Sequence, residues 1–318
     1  MLWVTWRQHR MQVLIAIAFL AVVGAALLVH GLRTAGLADV LSLGSEGRRN
    51  VLGQQFGQVS KLLIWSVILP ALVGLFWGTP LLAREYERGT HWLAWTQSVS
   101  RRGWLGVKLG GLGAAVTVAG LLFGVIMSAW AGEFGELRSA GRLVNLDLFV
   151  VTGVAPAAWW LFAFALGAAA GAVTRKLLPA MAVTIAVFLL SYVGMFASEA
   201  RLHYATPVRV EESAPVVSGE PWSINTPPGA EAQLPAGALM VRSGWVDTRG
   251  AELTGDATWS CASTSDDYLS CMRDKGFRWY AEYQPADRYW QFQWTEAGLL
   301  FAAAVALGGV AWFRVTRP

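Results

Sequence analysis

Glu85 and Glu87 are the carboxylates of this 318-residue chain whose spacing most invites a chemical role. Two carboxylates act as general acid and base only when both reach one reacting atom. Two residues apart on a helix they point to different sides, so catalysis by the pair is poor chemistry. Salt bridges with Arg84, Arg88 or Arg101, or contact with a basic ridge on another protein, suit them better. Asp266 and Asp267 form a second acidic pair, read as an exposed turn. The four histidines, His9, His30, His91 and His203, lie in separate segments, which does not make a metal site. GVKLGG at 106–111 lacks the G-x-x-x-x-G-K-[ST] spacing that cradles phosphates, and no G-x-S-x-G nucleophile elbow occurs. Neither an enzyme site nor a cofactor or metal held by this chain is expected.

The elements that carry these residues follow from composition. The chain is 55% hydrophobic and only 14% charged, with 17 Trp, where a soluble domain is about a quarter charged. Its mean hydropathy is +0.44. The apolar residues come in runs: 13–29, 62–83, 109–132, 149–174, 177–198 and 297–313 contain no Asp, Glu, Lys or Arg. Each run is about long enough to cross ~30 Å of hydrocarbon as a helix, so six transmembrane helices are predicted. A nucleic-acid-binding domain is thereby excluded as the meaning of the pI of 9.3.

Charge sorts by side. Arg7, Arg10, Arg84, Arg88, Arg101, Arg102, Lys108, Arg175, Lys176, Arg314 and Arg317 share the side of the termini with only Glu85 and Glu87. That side carries +9 and the other −5, together the +4 of the whole chain. Short basic loops belong in the cytoplasm, so both termini are expected there, in a multi-pass protein of the cell membrane. The first apolar run lacks a clean small-x-small cleavage site after it, and it is read as a span rather than a signal peptide.

Three segments are expected: 1–198 with spans one to five, an external subdomain at 199–294, and 295–318 with the sixth span and a cytoplasmic tail. The external segment is turn-rich, with alternating stretches such as MVRSGWVD and RYWQFQW that suggest some β-structure. Cys261 and Cys271 lie there, on the oxidising side, without C-x-x-C spacing or His neighbours. A disulfide is the expectation, and a metal or redox pair is disfavoured.

Ion-coupled carriers generally place ionisable groups inside the membrane, and the six charge-free runs offer none. That points to an energy source outside the chain. The runs do hold small residues at packing spacing, Gly106 with Gly110, Gly120 with Gly124 and Gly167 with Gly171, read as intramolecular packing ahead of a dimer interface. Pro70, Pro80, Pro156 and Pro179 are expected to bend or start helices. Thr117, Thr184, Ser191 and Tyr192 can bond across helices or to i−4 carbonyls. With Trp159, Trp160, Phe162 and Phe164 they could line an apolar cavity.

The most informative stretch runs from Arg84 to Lys108. It reads as a charged helix end, a break at Gly89-Thr90 that can cap a new helix, and a short amphipathic helix to about Gln97. Ser98-Val-Ser-Arg then re-enters the membrane, with Trp104 at the interface and Lys108 able to snorkel. LAREYERGTHWLAWTQSVSRRGWLGVKL resembles the coupling-helix region of type-2 ATP-binding-cassette (ABC) exporter permeases, in a branch common in high-GC Gram-positive bacteria. MLWVTWRQHR, with Trp3, Trp6, Arg7 and Arg10, resembles that branch's interfacial helix before the first span, and YQPADRYWQFQWTEAG the approach to its sixth.

The resemblance implies an all-α polytopic permease in which Arg84, Glu85, Glu87, Arg88, Gly89, Thr90, Gln97, Ser98, Ser100 and Arg101 couple the chain to a separate ABC ATPase subunit. Two ATPase copies, holding ATP and Mg, and a second permease subunit are the implied partners, the pair more readily a homodimer than a heterodimer. Membrane lipid surrounds it and nucleic acid has no part. The implied activity is export of a hydrophobic or amphipathic substrate such as a drug, peptide antibiotic or lipid-like molecule. The competing reading is a ligand sensor whose external subdomain signals to a cytoplasmic partner without transport.

Overall fold

Where water is absent, backbone polar groups must be satisfied along the chain itself, and the charge-free runs accordingly form helices. The structure, a computed structural model, describes residues 2–40, 45–89, 100–134, 141–197, 200–213, 234–253, 261 and 268–316. The chain divides into two compact units, Met1–Ser198 with Trp290–Pro318, and Glu199–Tyr289. The described residues include six helices long and apolar enough to cross a membrane.

The first unit opens with α1 (Leu2–Val40), an unbroken helix. No break sets Trp3, Trp6, Arg7 and Arg10 apart from the span; Arg10 is exposed, and the side chains of the other three lie outside the described residues. α2 (Ser45–Leu63) continues through a 3-10 turn at Ile64–Val67, α3 (Ile68–Val73), a π turn at Gly74–Gly78 and α4 (Thr79–Glu87). Pro70 and Pro80 each remove a ladder donor, and the irregular turns stand just before them, where the helix absorbs the loss. α5 (Arg101–Gly132) is the third long helix.

The fourth span is shorter than the 149–174 run predicted. α6 (Leu146–Val151) ends, Gly153 turns with φ 64°, and α7 begins at Ala155 and runs to Thr174. Asn145 caps α6 by accepting from Leu148 N at 3.0 Å. α8 (Leu177–Ala197) follows, and α10 (Tyr289–Thr316) is the last helix; the short α9 (Tyr268–Asp274) belongs to the second unit.

α7 is the centre of this unit: every residue from Ala155 to Ala172 except Leu161 is buried. Its neighbours approach through glycine. A Cβ on Gly78 would stand 2.5 Å from Phe164 O, and one on Gly120 would stand 2.6 Å from Ala157 Cα. Gly167 and Gly171 lie against the π turn and α4, Gly124 against Gly153. These glycines thus serve packing within the chain, whereas Gly110 faces open space. Trp159, Trp160, Phe162 and Phe164 are buried in this packing. Thr117, Thr184 and Ser191 each donate to the carbonyl four residues earlier. On the outside the polarity is inverted: Ile15, Ile17, Val22, Leu178, Leu190, Phe301 and Val305 are exposed, as lipid-facing side chains are.

The sixth span requires the largest correction. RYWQFQW, expected as an alternating strand, is the first two turns of α10. Tyr289, Phe292, Gln293 and Glu296 are buried at helical spacing while Trp290 and Trp294 are exposed. Gln293 decides the matter: its Oε1 accepts from Val154 N at 3.0 Å and Ala155 N at 2.8 Å, and its Nε2 donates to Phe149 O at 2.8 Å. Donors of the α7 N-terminus and an acceptor from α6 are thereby satisfied by α10. Glu296, one turn on, is fully buried and accepts from Trp159 Nε1 at 2.8 Å. The helices therefore do contain a buried carboxylate, and the argument from charge-free spans to an external energy source no longer stands by itself.

In the second unit, β1 (Val208–Ser213), β2 (Leu239–Val246) and β3 (Arg278–Gln284) form an antiparallel sheet in the order β1-β3-β2. MVRSGWVD supplies β2 as expected; RWYAEYQ, the central strand, has no comparable expectation behind it. Leu234, Trp245, Met272, Trp279 and Tyr283 form the core with Cys261, which is disulfide-bonded to Cys271 on α9 (Tyr268–Asp274), as expected. Gln284 donates to Leu202 O and Ala205 O, tying the 3-10 turn at Ala200–His203 to the end of β3.

Candidate coupling site at the end of α4

The charged stretch Arg84–Arg88 ends a helix whose last turn must hand its backbone carbonyls to something. Arg88 N donates to Arg84 O at 3.1 Å, Gly89 N donates to Tyr86 O at 3.2 Å, and Gly89 turns out of the helix with φ 66°. The expected break at Gly89 is therefore present. Thr90, Gln97 and Ser98, and the amphipathic helix expected around them, lie outside the described residues. The chain resumes at Ser100, whose hydroxyl accepts from Gly103 N at 3.1 Å and caps α5.

The three residues before Arg88 each reach a different helix. Glu85 Oε1 accepts from Lys108 Nζ at 2.6 Å. This differs from the expectation for both residues. Lys108 is not among the partners expected for Glu85, which were arginines. Nor does Lys108 snorkel: its side chain is 7% exposed, with the ammonium 4.4 Å from the centre of the buried Trp104 ring. The reason is tertiary: the end of α4 brings the Glu85 carboxylate to the Lys108 ammonium. Desolvating an ammonium costs several kcal/mol, and the carboxylate with the ring face offsets it.

Glu87 Oε1 accepts from Leu177 N at 2.8 Å, placing a carboxylate on the first turn of α8. An anion there satisfies a free backbone donor and complements the helix dipole. Tyr86, between the two glutamates, carries Arg175 over its ring at 5.2 Å. Arg175 is the left-handed residue that ends α7, with φ 57° and its N–H on Gly171 O at 3.0 Å.

Glu85, Tyr86 and Glu87 thus fasten the end of α4 to α5, α7 and α8. The spacing that made the glutamates useless as a catalytic pair suits this arrangement, because helix-adjacent side chains point to different neighbours. Arg84 and Arg88 remain exposed, and Arg101 is half-buried at the start of α5. Reading the sequence missed Tyr86, Arg175 and the amide of Leu177. The first two could have been suspected from an aromatic flanked by acids and a basic hairpin between two long apolar runs; a backbone amide has no signature.

A family model described as ABC-2 membrane transporter related matches residues 11–198, more than half of the chain. No curated protein and no solved structure matches.

Proposed function

The chain belongs to the ABC-2 membrane transporter related family, and from that premise we propose that it is the permease subunit of an ATP-driven exporter. Membership makes it a membrane transporter permease and implies an ABC ATPase as its partner. In the proposed assembly two permease subunits, two copies of one chain, each dock a separately encoded ATPase through the coupling segment 84–108, at the cytoplasmic side. ATP and Mg are bound by that partner. Its closure pushes the segment, and a hydrophobic or amphipathic substrate moves outward.

The fastening of Glu85, Tyr86 and Glu87 to three helices supports this reading. A force applied beyond Gly89 reaches α4 directly, and through side-chain contacts it reaches α5, α7 and α8 together. A bundle loosely linked at this end would dissipate the same force in local bending.

The test is ATP-dependent efflux of an amphipathic dye from cells co-expressing this chain with its ATPase. Glu87→Ala combined with Tyr86→Ala is expected to leave the ATPase bound while lowering efflux at least tenfold. Full efflux in that variant would overturn the coupling role, and co-purification with a kinase in place of an ATPase would overturn the transporter assembly.

A further inference from the structure

α1 and α5 enclose a groove of about 340 Å³ that the coupling site does not use. Its walls come from one face of each helix: Gly24, Leu28 and Gly31 on α1, Ile126 and Ala129 on α5, and Glu133 at the C-terminal cap of α5. Those residues recur at helical spacing, so the groove follows both axes, over on the order of 12 Å of helix. Trp130 forms a firm side wall. It stacks on Phe56 with centroids 5.9 Å apart, packs on Phe134 at 5.0 Å, and donates through Nε1 to His30 Nδ1 at 3.4 Å.

The lining is apolar except at one end. Glu133 stands there, exposed, and its carboxylate makes no hydrogen bond or ion pair among the described residues. Gly31 faces it: a Cβ at that position would lie 3.8 Å from Glu133 Cγ. A larger side chain at 31 would crowd the approach to the carboxylate, which glycine leaves open. A volume of this size holds a small ligand.

We propose that this groove binds an amphipathic organic cation, its alkyl chain between α1 and α5 and its positive head on Glu133. The charge complement decides the class: an anionic head would be repelled by the carboxylate, and a neutral one would gain no ion pair from it. Surrounding lipid is as apolar as the groove, so chain burial by itself gives little preference over the bilayer. Selectivity therefore rests on Glu133. This inference depends on the permease reading only in naming the groove's ligand as a cargo; binding itself needs neither ATPase nor ATP.

The experiment uses the full chain in nanodiscs of phosphatidylglycerol, without ATPase, with empty discs as the blank and radiolabelled decyltrimethylammonium as the probe. Saturable binding is expected, with decanol a poor competitor. Glu133→Gln should weaken the probe at least tenfold and Glu133→Asp should restore most of the affinity. Ala129→Phe, which fills the groove, should reduce binding in a chain that remains monodisperse. Unchanged affinity in Glu133→Gln, or decanol competing as well as the cation, would overturn the proposal. So would loss of probe binding when phosphatidylethanolamine replaces part of the lipid, since the groove would then hold a lipid headgroup amine. Binding without ATP-driven export would overturn the permease reading and keep the site. Export alongside absent or Glu133-independent binding would do the reverse.

Discussion

Lys108 is buried on α5, and the carboxylate that compensates its desolvation is Glu85, from the end of α4. Removing either partner takes this counter-charge from the other, which costs more than the pair is worth when intact. Lys108→Met is therefore expected to lower the melting temperature of the detergent-solubilised chain by several degrees, and Glu85→Gln added to it to recover part of the loss. A double-mutant cycle on melting temperature measures the coupling, and strictly additive shifts would dispose of the pair. Glu296 permits a sharper contrast, because its carboxylate accepts from Trp159 Nε1. Glu296→Gln retains an acceptor and should be mild, whereas Glu296→Leu should cost about 1–3 kcal/mol by orphaning the indole N–H. Equal melting temperatures for the two variants would refute the bond's importance.

Helices meet here through missing side chains. The second helical run reaches α7 at Gly74 and Gly78, α5 reaches it at Gly120, and each contact is backbone against backbone. Gly78→Ala and Gly120→Ala both place a Cβ against backbone that cannot move without shifting a helix. Both are expected to abolish a monodisperse peak in size-exclusion chromatography. Gly110→Ala, in open space, should gain up to ~1 kcal/mol from helix propensity and remain monodisperse. If all three behave alike, the packing described for α7 is wrong. The GxxxG spacing is common to Gly106 with Gly110, Gly120 with Gly124 and Gly167 with Gly171, yet only the last two pairs lie against backbone. Spacing says that a close approach is permitted, and only the neighbouring helix says whether it occurs.

On the scale of the molecule, two carboxylates of the second unit make its stability depend on pH. The Arg242 hydrogen bond holds the Glu282 carboxyl below its ordinary value, and the Ala251 N–H does the same for Asp247. A depressed carboxylate contributes stability that is present above its unfolded pKa, about 4, and lost as pH falls through the folded value. Hydrogen exchange of β2 and β3 amides in the full chain, corrected for intrinsic rates, should hold steady from pH 8 to 5 and rise steeply below 4. Arg242→Met should flatten that rise, since Glu282 then loses the first cause of its shift. A rise centred near neutral pH, or one untouched by Arg242→Met, would point to other groups.

The amino-acid sequence by itself determined the class of this protein. Runs free of charge can be satisfied in lipid only as helices, and the residues that bound them are read directly, so six spans and the disulfide of Cys261 with Cys271 were legible without any packing. The resemblance around residues 84–108 pointed to the family, which the match over residues 11–198 shows. Tertiary structure decided which partners those residues take. Lys108 looked like an interfacial lysine because its local surroundings are mixed, and it is paired because the end of α4 brings Glu85 to it. RYWQFQW alternates well enough for a strand, and it is helical because Gln293 and Glu296 meet α6 and α7 across about 140 residues of chain. The groove beside Glu133 belongs wholly to this second kind of knowledge, since a cavity is a property of two helices and is encoded in neither one.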